Sequence, residues 1–185
     1  EVLAGGVVPK GQGALGTVSS ATVQGLLLGR GVPMMARLGG VLEVKDGKPV
    51  RLVEVIDYAG TSLDPLELFI KAGLTQVRVC ARTGSGRIGV SVREIPAAAL
   101  DRFLAMRAGM DRHSLGGILA VGRPGQAVLD VPVAADRVGV VVAAGLNPLA
   151  ALHEAGLGVA LQPLAGLVDY RVFHSFQGWR ERYAG

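Results

Sequence analysis

Val138 to Leu146 is an unbroken run of small and aliphatic side chains, stopped by Asn147-Pro148 and soon followed by His153-Glu154. A bilayer-spanning helix needs about 20 such residues, so the run is too short for that role. It suits a strand buried on both faces, which demands covering layers on either side. The 185 residues are enough for one domain with a substantial core. An α/β protein is therefore expected.

Charge narrows the function classes. Nineteen basic residues stand against 15 acidic ones, a net +4, with no dense basic run, so the chain itself is a poor nucleic-acid binder. The single cysteine, Cys80, excludes an internal disulfide, and the acidic first residue opens no signal-peptide pattern. Both features agree with a soluble, cytoplasmic protein. His113, His153 and His174 lie far apart without a Cys or His neighbour at ligand spacing, so no metal site is expected.

Turn signals set the order of elements. Asp46-Gly47 between Leu38–Val44 and Val50–Tyr58 predicts a hairpin. Gly60-Thr61-Ser62-Leu63-Asp64-Pro65 predicts a capped helix over about 64–72, with Ser62 or Asp64 as the cap and Gly73 as the stop. The alternation of Val77, Val79 and Ala81, then Ile88, Val90 and Val92, predicts strands over 75–82 and 87–94. Their other face would carry Arg78, Arg82, Arg87 and Arg93. A helix opened by Pro96 and closed by Gly109 should follow, with Leu100, Phe103 and Leu104 on one side. Further strands are predicted over 115–121, 127–133 and 137–144, then a helix from Asn147 to Gly156 and a strand over 159–161.

Shifting Leu15–Arg37 by 125 positions onto Val140–Gln162 lays strand on strand, cap on cap and helix on helix. The expected fold is thus an α/β, mixed-sheet domain of two pseudo-repeats, helices packed on the sheets, the first repeat truncated at its N-terminus. It would span residues 1–170. Residues 171–185 would dock on that domain or on a partner subunit, because Tyr170, Phe173, Phe176, Trp179 and Tyr183 recur at helical spacing.

The two matched loops, Ser19-Ser20-Ala21-Thr22 and Ala144-Gly145-Leu146-Asn147, both open helices, where free N–H groups and the dipole favour an anion. Thr61 and Ser62 beside Asp64 make a third such start. The candidate ligand-binding set is therefore Ser19, Ser20, Thr22, Thr61, Ser62, Asp64 and Asn147, with Arg82 from the Arg-bearing face. No catalytic residue and no cofactor are expected: no nucleophile elbow or phosphate loop is present, and Gly84-Ser85-Gly86 is not followed by Lys-Ser or Lys-Thr. The alternatives are an enzyme acting on a small anion through Asp57, Asp64 or Cys80, and a pure dimerisation scaffold.

Several stretches together carry a resemblance. They include Gly39-Gly40-Val41-Leu42, Thr61-Ser62-Leu63-Asp64-Pro65-Leu66-Glu67, Arg93-Glu94-Ile95-Pro96, Gly116-Gly117-Ile118-Leu119 and Gly145-Leu146-Asn147-Pro148. In these blocks the chain resembles the regulatory domain of the NrpR nitrogen-repressor family over nearly its whole length. The resemblance implies a homodimeric effector-sensing domain of a transcriptional repressor of nitrogen assimilation that responds to 2-oxoglutarate. DNA would be reached only through a separate winged-helix domain, which this chain lacks.

Overall fold

The computed structural model describes residues 15–113, 115, 117–164, 166, 167, 169 and 171, with the backbone of 2–3 and 6–7. Two compact units are present. One comprises Glu1–Gly16 and Leu164–Gly185. Its described parts include a small antiparallel pair, β1 (Val2–Leu3) and β2 (Gly6–Val7), and an Asp169–Arg171 ion pair. The aromatic residues Tyr170, Phe173, Phe176, Trp179 and Tyr183 lie outside the described residues.

The second unit, Thr17–Pro163, is built on five strands: β3 (Met35–Lys45), β4 (Lys48–Asp57), β5 (Gly86–Pro96), β6 (Ile118–Val121) and β7 (Arg137–Ala143). Their spatial order is β4-β3-β5-β7-β6, and every ladder is antiparallel. The α/β class holds, with the sheet antiparallel throughout the described strands where a mixed sheet was expected. β7 is the doubly buried strand, with Val138, Val140 and Val141 fully enclosed.

Alternation along β5 sends Ser91, Arg93 and Ile95 to one face and Ile88, Val90 and Val92 to the other. Helices cover the first face. α1 (Ser20–Leu28) and α4 (Leu100–Arg112) bury Val23, Leu27 and Phe103 against Ile95, Val138 and Val140. α2 (Pro65–Lys71) and α5 (Asn147–Glu154) bury Leu66, Phe69 and Ala150 against Val41 and Ala144. The second face is covered by the loop after β6, whose Val128, Val131 and Val133 pack on Leu42, Val90 and Val141. No described helix is long and apolar enough to cross a membrane.

Several expectations are corrected. Residues 77–83 form a helix, α3 (Val77–Thr83), not a strand. Glu154 of α5 caps it from afar, its carboxylate accepting from Val77 N and Arg78 N at 2.8 Å each and from Thr75 Oγ1 at 2.8 Å. Gly84, at φ 75°, closes it in the left-handed region. On a helix Val77 packs on the α2/α5 cluster while Val79, two residues on, points out and is 51% exposed, so the alternation does not mark one buried face. Gly109 lies inside α4 rather than ending it, and Leu104 is exposed. Residues 127–133 hold only a Val128–Val131 bridge, because Leu129 and Asp130 take positive φ and turn the chain. Residues 15–18 and 159–161 are irregular. The repeat therefore superposes helix α1 on α5 in sequence, while the strand β7 has no counterpart at 15–18.

Candidate functional site

The two matched loops meet in space. Thr17 Oγ1 donates to the Gly145 carbonyl, and a Cβ at Gly145 would lie 2.7 Å from the Val18 oxygen. The close approach requires glycine there. From that junction α1 starts with Ser19 as its N-cap, the Oγ accepting from Ala21 N at 2.9 Å.

The first turn of α1 lies on Arg93. Nη1 donates to Gln24 Oε1 at 2.5 Å, and Nη2 donates to Ser20 Oγ at 2.9 Å. Arg93 is only 5% exposed, and both partners are neutral. Neither its Nε nor the Oγ of Ser91, two residues earlier on the same face, has a hydrogen-bond partner, and both atoms are buried. Glu94 points to the other face, where it accepts from Arg37 at 2.8 Å. Burial pulls the Arg93 pKa down, and the neighbouring Tyr58 phenol pushes it up. A buried cation held by neutral groups is costly unless an anion compensates it.

The segment after β4 roofs this polar seam. Asp57 caps a short 3-10 turn over Tyr58–Gly60, accepting from Ala59 N at 2.8 Å. Asp64 is the N-cap of α2, with Oδ1 accepting from Leu66 N at 2.8 Å, and Pro65 occupies the first helical turn. Gly39 of β3 pairs directly with Ser91. A Cβ on Gly39 would stand 2.5 Å from Pro65 Cβ and 3.5 Å from the Tyr58 hydroxyl, so Tyr58 and Pro65 sit directly above this part of the sheet. Burial raises the Tyr58 pKa and Asp64 raises it further, while Ser91 and Arg93 pull it down. The Ser91 hydroxyl lowers the phenol's pKa as a hydrogen-bonding neighbour would, yet the two hydroxyls stand outside full hydrogen-bond geometry. Tyr58 is thus the neighbour placed to engage Ser91 Oγ when no ligand does.

The sequence-predicted residues are divided by this geometry. Ser20 touches Arg93, Ser19 caps the same helix, and Asp64 reaches the seam through Tyr58. Thr22 and Ser62 are exposed. Thr61 is engaged locally, its Oγ1 accepting from Leu63 N at 3.0 Å and donating to Leu63 O at 3.2 Å. Asn147 is engaged by the sheet: Oδ1 accepts from Gly89 N at 2.8 Å and Nδ2 donates to Gly89 O at 2.9 Å, extending the β5 ladder past the end of β7. Arg82 is exposed in the last turn of α3, beside the start of β5, whereas Arg93 lies seven residues along that strand from Gly86, roughly 23 Å at about 3.3 Å per residue. Arg78, Arg82, Arg87 and Arg93 do not share a face.

Arg93 and Ser91 were the residues to find. The hint in the sequence is the alternation of Ser91 and Arg93 with Val90 and Val92 along one strand. The groups for an enzymatic reading go elsewhere, since Asp57 and Asp64 both cap helix starts. Burial raises the Cys80 pKa, the opposite of an activated thiol. Among the described residues no cluster of three metal-ligating side chains occurs. Two surface hollows also lie away from the seam. One, of about 230 Å³, is apolar and lined by Leu42, Val44, Cys80, Ile88 and Leu119, and the other, of about 320 Å³, lies beside Pro33, Pro96 and Arg102.

The family model for NrpR regulatory domains NRD1 and 2 matches residues 4–175. The chain belongs to the NrpR regulatory-domain family. It is 31% identical over 164 residues to the global nitrogen regulator NrpRI of Methanosarcina mazei, covering 89% of this chain and 51% of that protein. Against the global nitrogen regulator NrpR of Methanocaldococcus jannaschii the identity is 31% over 163 residues, 88% of this chain and 29% of the relative. The fold is similar to that of a nitrogen repressor-like protein from Methanococcus jannaschii, with a TM-score of 0.65 at 29% identity, over 79% of this chain and 60% of the other. The chain thus spans about half the length, or less, of these curated relatives. The family is one of regulatory domains, not of enzymes.

Proposed function

We propose that this NrpR-family chain is the effector-sensing and dimerising domain of a cytoplasmic transcriptional repressor of nitrogen assimilation, with 2-oxoglutarate as its signal. It acts as a homodimer and reaches DNA only through a separate winged-helix domain. The observation that carries the reading is the buried Arg93 guanidinium, held by the neutral side chains of Ser20 and Gln24 at the first turn of α1. A small dicarboxylate supplies the missing negative charge. Magnitudes permit it: a dissociation constant near 1 mM requires only about 4 kcal/mol. One charge-assisted contact supplies about 2 kcal/mol and a helix N-terminus up to about 1 kcal/mol, the rest coming from neutral hydrogen bonds.

The ligand acts by favouring one arrangement of the domain or dimer over another, and its differential affinity sets how far operator binding shifts. Calorimetry with 2-oxoglutarate, with succinate and glutamate as controls, tests the reading. Binding at or below millimolar concentration with preference for 2-oxoglutarate is expected. Absence of heat with 2-oxoglutarate at that concentration overturns the sensing role.

A further inference from the structure

Ser91 Oγ and Arg93 Nε are polar atoms without partners, on neighbouring same-face positions of β5, in residues 0% and 5% exposed. Each unmet donor in such a place costs free energy that the fold does not recover locally. Ser20 and Gln24 use only two of the five N–H donors of the guanidinium and bring no charge. Apolar packing flanks the pair on both sides, Ile95 and Val140 toward α1, Val41 and Leu66 toward α2. Directly above lie the Tyr58 hydroxyl and Pro65, over Gly39.

We infer that Ser91 Oγ and Arg93 Nε form the seat of one ligand carboxylate, one oxygen accepting from each, and that the Tyr58–Pro65 segment is the cover that shifts to admit it. This rests on the sensing reading above and specifies its site. The two atoms have no contact with solvent, so a ligand cannot reach them past an unmoved roof. The segment that yields is held by local bonds, Asp57 to Ala59, Thr61 to Leu63 and Asp64 to Leu66, and is continuous with α2. Filling the seat therefore moves α2 and the end of edge strand β4, which turns occupancy into a change of shape at one border of the sheet.

The test compares wild type, Arg93→Met and Ser91→Ala by calorimetry with 2-oxoglutarate, succinate and acetate, and by melting without ligand. Arg93→Met is expected to weaken carboxylate binding at least tenfold and Ser91→Ala about fivefold. Ligand-free Arg93→Met should melt at or above the wild-type temperature, because a buried charge lacking its counter-ion has been removed. A clear fall in its melting temperature would mark the guanidinium as a structural strut and overturn the inference, as would unchanged affinity in both variants. Should Arg93→Met not fold, the inference also falls unless Ser91→Ala, which removes one hydroxyl, still loses affinity. If wild type takes up succinate or acetate but not 2-oxoglutarate, the sensing reading fails and the seat is judged on those ligands. No carboxylate binding at all overturns both. In hydrogen exchange, Leu63 and Leu66 amides should change protection on saturation in wild type and not in Arg93→Met.

Discussion

The starts of α1 and α5 are the same device put to different ends. Both follow an irregular turn, both pack a helix on one face of the sheet, and the two loops touch through Thr17 and Gly145. At α5 the polar side chain at the first helical position, Asn147, is turned to the backbone of Gly89, which it holds by two hydrogen bonds. At α1 the equivalent layer, Ser20 and Gln24, bonds to a buried cation that still has an unmet donor. One helix start completes the sheet, whereas the other leaves a charge waiting. A helix N-terminus therefore says little about binding until the partner of its side chains is known.

The comparison yields graded expectations. Asn147→Ala strips Gly89 of both side-chain partners and should destabilise by about 2–3 kcal/mol, lowering the melting temperature by roughly 5–10 °C. Effector affinity of the folded fraction should stay at the wild-type value, and a strong loss there would break the contrast. Gly145→Ala pushes a methyl against the Val18 oxygen and should cost about 1–3 kcal/mol by prying the two loops apart, read by urea unfolding. Glu154→Ala removes the remote cap of α3, at about 1–2 kcal/mol, with the loss of exchange protection concentrated in residues 77–83. Ser20→Ala should shift the balance the other way from Asn147→Ala: a smaller stability loss of about 1 kcal/mol, from the acceptor that Arg93 Nη2 loses, but effector binding weakened roughly fivefold. Thr22→Ala, on the exposed side of the same turn, should change stability by no more than about 0.5 kcal/mol and leave affinity unchanged.

Much of the frame was legible because local chemistry enforced it. Asp46 and Gly47 take φ of 51° and 73°, the turn that Asp-Gly favours, and join β3 to β4 as expected. Asp64, with Pro65 behind it, starts α2, which settles the choice between Ser62 and Asp64. β7 is the enclosed strand its composition announces. α3 was misread because its N-terminal cap comes from Glu154, 77 residues beyond Val77, so no window of sequence contains both. Alternation puts Arg82 and Arg93 on the same face and does not say which of them helices will cover.

The sequence by itself determined the α/β class, the turns, the family and the presence of anion-friendly helix starts, since these depend on neighbours in the chain. Only the tertiary structure decided which start meets a buried charge. Arg93 becomes a candidate ligand anchor because α1 and the Tyr58–Pro65 segment close over β5, removing water from a guanidinium that pairs with no carboxylate among the described residues.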